Sequence, residues 1–247
     1  MQHFTVVIPA YNVEKWARKN IISAVRQKYE NFEVVYTNDC STDKTNDVIG
    51  ETLDYLGNPE NFTYIENSEN RKALRNIYDS VIQSRDDTVI VTLDGDDWFA
   101  GTHVLSTLNN LYSSEDVWVT AGSYIDNSNG MVSSPDIHKG FWDGNIRRHV
   151  WTISHLRTFR KELFMSIEKD DMLDRDGDFY KFTFDQAMMF PMVEMAGSEH
   201  FRSINDVLYV YNRGNPLSVD RVHRAEQLRI ERDIRNKKPY GKLNALE

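Results

Sequence analysis

The stretch that most constrains this chain is Thr88-Val89-Ile90-Val91-Thr92-Leu93-Asp94-Gly95-Asp96-Asp97-Trp98. β-branched residues favour an extended strand, and a continuous apolar run belongs to a strand covered on both faces. The run stops abruptly in three carboxylates, Asp94, Asp96 and Asp97. In an open α/β sheet, ligands bind at the carboxyl ends of the strands. Acids this close repel one another unless a cation or an ordered ligand compensates. For hard oxygen donors the natural compensator is Mg²⁺ or Mn²⁺ carrying a diphosphate. Asp-Gly alone would mean only a polar turn. A second strand that also ends in acid, at Asp39, favours the ligand.

The pattern around that strand repeats. Phe4 to Ala10 reads as a strand, Val13 to Lys28 as a helix, Phe32 to Tyr36 as a strand. Ser41 and Thr42 are the expected N-caps of a helix running to about Leu56. Phe62 to Ile65 is a short strand, and Asn70 to Ser84 a helix with Ala73, Leu74, Ile77, Val81 and Ile82 on its apolar face. Residues 1–98 therefore alternate strand and helix, the mark of a parallel sheet with crossover helices. The second half is less regular. It suggests a helix over Thr102 to Tyr112, a strand over Val117 to Tyr124 and a loop with a β excursion over Asn127 to Asp143. Short helices follow at Leu163 to Ile167 and Phe184 to Met195, then a strand over Val207 to Tyr211 and a charged helix over Val222 to Arg235. No repeat and no clean linker interrupts the chain. By pattern it divides into a regular half (1–98), a less regular half of the same domain (99–218) and a helical tail (219–247).

Composition removes several classes. With 247 residues, 40% hydrophobic and 12% aromatic, the chain can build a large core. A net charge of -9 is wrong for a general nucleic-acid binder, yet it permits a nucleotide bound through a metal. A single cysteine, Cys40, excludes an internal disulfide framework and suits a reducing compartment. The first residues run straight into a strand, which is not a secretory leader, and no apolar run approaches the ~20 residues of a membrane span. The expected location is the cytoplasm, peripheral to a membrane at most.

Parallel strands bring three strand ends to one edge: Pro9, Ala10, Tyr11, Asn12 and Glu14 after the first, Asp39 after the second, Asp94, Gly95 and Asp96 after the fourth. A flat aromatic beside a carboxylate suits a nucleobase, with Tyr11 stacking on the ring and Asp39 accepting from an imide N–H. Taken singly, Tyr11 reads equally well as a loop aromatic and Asp39 as a helix cap.

Together these segments resemble family 2 glycosyltransferases of the GT-A fold. Thr5-Val6-Val7-Ile8-Pro9-Ala10-Tyr11-Asn12 is similar to that family's opening strand, and Asn38-Asp39-Cys40-Ser41-Thr42-Asp43-Lys44-Thr45 to its Asp-Asp-x-Ser-x-Asp-x-Thr stretch. Asn70 with Ala73-Leu74-Arg75-Asn76 resembles its Asn-x-Gly-x-x-x-Ala-Arg-Asn helix, and Leu93-Asp94-Gly95-Asp96-Asp97 its Asp-x-Asp motif. The departures are Lys72 in place of the usual glycine and Asn38 in place of the first aspartate; both read as local changes away from the metal. The resemblance implies a mostly parallel central sheet flanked by helices, with a small antiparallel element in the C-terminal half. It implies a metal-dependent, inverting transfer from a UDP-sugar to a glycan, lipid-linked or other hydroxyl acceptor. Pro9, Tyr11 and Asp39 would hold uracil, with Asn70 and Arg71 beside them. Asp94 would face the ribose or the metal's water shell, and Asp96 would ligate Mn²⁺ or Mg²⁺.

The family's general base is matched best by Asp185 in Phe182-Thr183-Phe184-Asp185-Gln186, although Phe184 replaces the usual Glu. The chemistry needs one carboxylate that takes the acceptor hydroxyl's proton. Apolar neighbours Phe182, Phe184 and Met188 would raise its pKa; the plain alternative is an N-cap aspartate. Asp174, Asp176 and Asp178 are rivals. In the dense stretch from Trp151 to Lys161, His155 and Arg157 are candidates for the acceptor or diphosphate, against the simpler reading of a surface strand. Trp142 and Trp151 offer a stacking platform. Arg213 and Ser218 would close on the diphosphate, and His223 reads as a solvated residue or a further metal ligand. Two other functions share some of these signals. A haloacid-dehalogenase-like phosphohydrolase would use Asp94 as nucleophile, and a catalytically inactive nucleotide-sugar binder would keep the first half alone.

Overall fold

A computed structural model of the chain describes residues 1–137, 139–215 and 224–246. Among the described residues nine strands form one sheet, β1 (His3–Ala10), β2 (Phe32–Asn38), β3 (Phe62–Glu66), β4 (Thr88–Thr92), β5 (Trp98–Phe99), β6 (Val119–Asp126), β7 (Val132–Ser133), β8 (Arg157–Arg160) and β9 (Phe201–Tyr211). Their order is β3-β2-β1-β4-β8-β6-β9-β5, with β7 on β6. The first four strands run parallel, as the strand–helix alternation predicts. β8 lies antiparallel between β4 and β6, and β6 and β9 are parallel to each other. Both halves of the sequence thus contribute to one sheet.

The helices are α1 (Ala17–Val25), α2 (Thr45–Leu56), α3 (Ala73–Gln83), α4 (Val104–Ser114), α5 (Lys161–Met165), α6 (Phe184–His200) and α7 (Arg224–Asn236). They cover both faces. Phe4, Val6 and Ile8 of β1 alternate with Val7, as a period of two requires. The first three pack with Ala17, Ile21, Ile49 and Leu105 in one core. Val7 packs with Leu74, Ile77, Val81 and the residues of α6 in the other. β4 does the same, with Val89 and Val91 on one face and Ile90 on the other.

Local departures from the sequence pattern have identifiable reasons. Ser41 and Thr42 do not cap α2, which begins after Lys44. Instead Ser41 Oγ accepts from the amide of Asn12, and the Thr42 amide donates to Asn12 Oδ1. The loop after β2 is therefore sewn to the loop after β1. The segment around Arg157 is a central, buried strand rather than a surface one, because antiparallel insertion between β4 and β6 covers it. The short strand β5, on the sheet edge against β9, is too brief to be seen in a hydrophobic pattern. Pro191 lies inside α6, and the helical path breaks later, at Gly197 with φ 59°.

Candidate active site

The carboxyl ends of β1, β2 and β4 open into a cleft of about 570 Å³. Pro9, Tyr11, Asn12, Asp39, Asn70, Asp94, Gly95, Asp96, His155, Arg157 and Asp185 all line it, so most of the residues expected from the sequence converge. Val13, Lys72, Ala73, Lys181, Phe182, Thr183, Phe184, Tyr211, Asn215 and Gln227 complete the wall.

At one end, Asp39 is almost wholly buried. Its Oδ1 accepts from Asn67 Nδ2 and from the Arg71 amide, and its Oδ2 from the Lys72 amide, each at 2.8 Å. The aspartate caps the loop that leads into α3, not α2. A carboxylate offers about four acceptor positions, so one remains for a ligand. Tyr11 stands 43% exposed beside it. Arg71 is turned outward, 3.8 Å from both Glu69 and Asp79, and does not line the cleft. Glu14 is absent from the lining too; its carboxylate accepts from the Lys44 amide at 2.9 Å.

At the other end stands the acidic turn. The Asp97 amide donates to the Asp94 carbonyl, and Asn20 of α1 donates to the carbonyls of both Asp94 and Asp97 at 2.9 and 2.8 Å. Asn20 is a fully buried polar residue on an otherwise apolar helix stripe, the one signal in the sequence that could have revealed it. Gly95 is required because a Cβ there would lie 2.6 Å from the Cβ of Ala10. Ala10 therefore shapes the floor rather than the wall.

The three acids have different surroundings. Asp97 is buried, and accepts from Tyr209 Oη at 2.5 Å and from the Asn212 amide at 2.7 Å. Burial, then the neighbouring Asp96 and Asp94, push its pKa well up. Asp96 accepts from Asn215 Nδ2 at 2.8 Å, and burial raises its pKa against that hydrogen bond. Asp94 is pushed up to about 6 by burial, with Asp96 and Asp185 adding to the shift and Arg157 opposing it. Tyr209, which anchors Asp97, stays a phenol, because burial and then the same acids hold its pKa far above the ordinary value.

Arg157 is the hinge of the electrostatics. It is 2% exposed, with Nη2 3.8 Å from Asp94 Oδ2 and Nη1 3.7 Å from Asp185 Oδ2. One guanidinium thus spans the acidic turn and the base candidate. Asp185 lies in the first turn of α6, where Thr183 occupies the N-cap. Trp151 Nε1 donates to Asp185 Oδ2 at 3.0 Å, and its ring meets Phe190 with centroids 5.0 Å apart, so Trp151 orients the carboxylate. His155 is stacked on Tyr209, with ring centroids 4.5 Å apart, and its Nδ1 is buried without a hydrogen-bond partner, 3.9 Å from Asp94 Oδ2. Burial and then Arg157 hold its pKa well below the ordinary value, so the imidazole is neutral.

These donors fit a divalent cation. Asp94, Asp97 and His155 bring ligand atoms within 4.8 Å of one another. Both oxygens of Asp97 are already committed to the fold, and Asp97 does not reach the cleft wall. Asp94, Asp96 and His155 do line it, and carboxylates with a neutral imidazole suit Mn²⁺ or Mg²⁺.

Other candidates lie elsewhere. Trp142 packs on Phe141 and Phe201 in the core. Arg213 pairs with Asp126 at 3.0 Å and does not line the cleft. Asp174 Oδ1 accepts from the amides of Asp176 and Asp178, closing a surface turn. Ser218 and His223 fall outside the described residues.

A family model described as glycosyl transferase family 2 matches residues 5–176. The chain belongs to glycosyltransferase family 2. Glycosyltransferase GlyG of Streptococcus pneumoniae is 24% identical over 226 residues, covering 85% of this chain and 70% of that protein. The Escherichia coli UDP-Glc:alpha-D-GlcNAc-diphosphoundecaprenol beta-1,3-glucosyltransferase WfaP is 26% identical over 140 residues, 55% of this chain and 53% of its own length. Against the S. pneumoniae glycosyltransferase GlyA the chain spans only 18% of the relative's length. Among solved structures, S. aureus TarS in complex with UDP-GlcNAc superposes with a TM-score of 0.67 at 17% identity, over 94% of this chain and 65% of that one. The mannosyltransferase PcManGT from Pyrobaculum calidifontis, with GDP-Man and Mn²⁺, gives 0.65 at 18% identity, over 96% and 66%. The fold is that of GT-A glycosyltransferases. Neither the family match nor these neighbours supports a haloacid-dehalogenase-like reading with Asp94 as nucleophile. Among the described residues no helix is long and apolar enough to cross a membrane.

Proposed function

We propose that this glycosyltransferase moves a sugar from a UDP-sugar to an acceptor hydroxyl with inversion at the anomeric carbon, assisted by Mn²⁺ or Mg²⁺. The observation that carries the reading is Arg157, which stands 3.8 Å from Asp94 and 3.7 Å from Asp185. One buried guanidinium stands beside both the acidic turn and the base candidate, which supports a single reacting volume between them. Asp185 Oδ2 is held by Trp151, and Oδ1 has no hydrogen-bond partner among the described residues. That oxygen takes the acceptor's proton as the acceptor oxygen bonds to the anomeric carbon. The bond from that carbon to the diphosphate oxygen breaks, and the nucleoside diphosphate leaves with the electron pair. A single base attacking opposite the leaving group inverts the centre.

A cation at Asp94 and Asp96, with His155 beside them, would neutralise the leaving diphosphate as charge develops on it. Pro9, Tyr11 and Asp39 would hold the base, with Asp39 keeping one free acceptor for an imide N–H. WfaP carries UDP-Glc in its name and TarS is solved in complex with UDP-GlcNAc, which supports this choice. The acceptor would enter past Phe182, Phe184 and Lys181, and is a glycan, a lipid-linked sugar or another hydroxyl compound. Calorimetric titration of UDP with and without Mn²⁺, on wild type and on Asp96→Ala, tests the reading. Metal-dependent binding that disappears in the variant supports it; no UDP binding with metal present overturns it.

A further inference from the structure

The residue that opens α3 is conformationally out of place. Lys72 has φ 70° and ψ 162°, a region that glycine occupies freely and other residues adopt only under constraint. Strain of this kind persists where surrounding structure fixes it, and it clusters at ligand sites. Here the Lys72 amide is fixed by Asp39 Oδ2 at 2.8 Å. The side chain lines the cleft, with Nζ 5.9 Å from the centroid of the Tyr11 ring. No carboxylate pairs with that ammonium among the described residues, although the chain is rich in acid.

The place of Lys72 selects the part of a ligand it meets. Tyr11 and Asp39 follow β1 and β2, whereas Asp94 and Asp96 follow β4 on the far side of β1. Strands are spaced about 4.8 Å apart, so Asp39 and Asp94 are separated by roughly 10 Å across the sheet. Lys72 is at the base end, not the diphosphate end. Asp39 Oδ2 and the Lys72 ammonium thus present a hydrogen-bond acceptor beside a flexible donor.

We propose that Lys72 reads the nucleobase, its ammonium donating to the ring carbonyl that adjoins the imide N–H accepted by Asp39. The proposal rests on the nucleotide reading above and adds a selection rule to it. Uracil and guanine carry an N–H beside a C=O. Cytosine and adenine carry a bare ring nitrogen beside an amino group, which would set a donor against the ammonium and a lone pair against the carboxylate. The cleft therefore prefers keto bases, and the side chain that glycine would lack is the reason the strained backbone is tolerated.

The test is titration of UDP, GDP and CDP, each with Mn²⁺, into wild type, Lys72→Ala and Lys72→Gly, with thermal melting recorded alongside. Lys72→Ala is expected to weaken UDP on the order of tenfold while changing CDP far less. Lys72→Gly is expected to show the same loss and yet to melt above wild type, because glycine relieves the backbone. A purely structural lysine cannot give that combination. Equal losses for UDP and CDP would put the ammonium on the phosphates and overturn the proposal, as would variants that bind UDP like wild type. Wild type that binds no nucleoside diphosphate overturns the nucleotide reading and this inference together, so the two failures are told apart by the wild-type curve.

Discussion

The two ends of the cleft are built on opposite principles. At the base end, side chains are matched to backbone. Asp39 holds the amides of Arg71 and Lys72, Asn12 that of Thr42, and Glu14 that of Lys44. At the reacting end, charge accumulates faster than partners do. Asp94, Asp96 and Asp97 all have raised pKa values, and His155 Nδ1 and Arg157 Nε are buried without hydrogen-bond partners. Unmatched buried polar groups are costly, and they persist where a ligand supplies what the fold withholds. The base end, where Asn70 Oδ1 is the cleft-lining atom left buried without a partner, is largely set for shape before any ligand arrives, and the reacting end becomes complete only with one.

That contrast can be broken most easily at Asp185. Asp185→Asn keeps the shape and the tryptophan contact but removes the proton acceptor, so turnover should fall by about 10²–10⁴ with UDP affinity intact. Single-turnover kinetics beside calorimetry would show it, and unchanged turnover would remove Asp185 from the chemistry. At the base end the expected loss is in stability. Asp39→Ala strands two backbone amides and the Asn67 amide, and should cost on the order of 2–3 kcal/mol in urea unfolding; a variant as stable as wild type would mean that the loop is not held by this carboxylate.

The reacting end should behave the other way. Native Asp94 keeps its proton up to about 6 against 3.8 when unperturbed. Between those values the native state binds more protons than the unfolded one, so stability falls as pH rises through the window. Asp94→Asn abolishes that titration. In metal-free urea unfolding from pH 4 to pH 7, the variant should gain on wild type by roughly 1–3 kcal/mol, and a constant difference across the range would contradict the assignment. The smallest effect is expected outside the cleft. Arg213→Ala removes a half-exposed guanidinium from Asp126 and from the Tyr211 ring, outside the cleft, and should leave turnover close to wild type in the same single-turnover measurement.

The parts that were legible in the sequence were those with a local period or a local cluster. β1 to β4 and their helices announce themselves by alternation, and Asp94 to Asp97 by the abrupt change from apolar to acidic. Tyr11, Asp39 and Asp185 followed from matching those segments to a family pattern, and all three reach the cleft. The rest depends on contacts between distant residues. Nothing near Arg157 says that β8 will slide in beside β4 and bury it between two carboxylates. Asn20, Tyr209 and Asn215 act on the acidic turn from 74 or more positions away in the sequence. Trp142 and Arg213 carry the right chemistry for a sugar site, but packing and an ion pair take them elsewhere. Lys72 reads in the sequence as a local change, because a backbone angle cannot be read from residue names.

The contact between Gly95 and Ala10 has a consequence for how such a cleft diversifies. Its floor is two backbones in touch, with Pro9 O only 3.0 Å from where a Cβ at position 95 would sit. No side chain can grow there without parting β1 from β4. Change is confined to the walls, where Lys72, Asn70, Lys181 and Gln227 stand on loops and helix ends. New donors and acceptors can be tried on that perimeter while the foundation on which transfer occurs stays still.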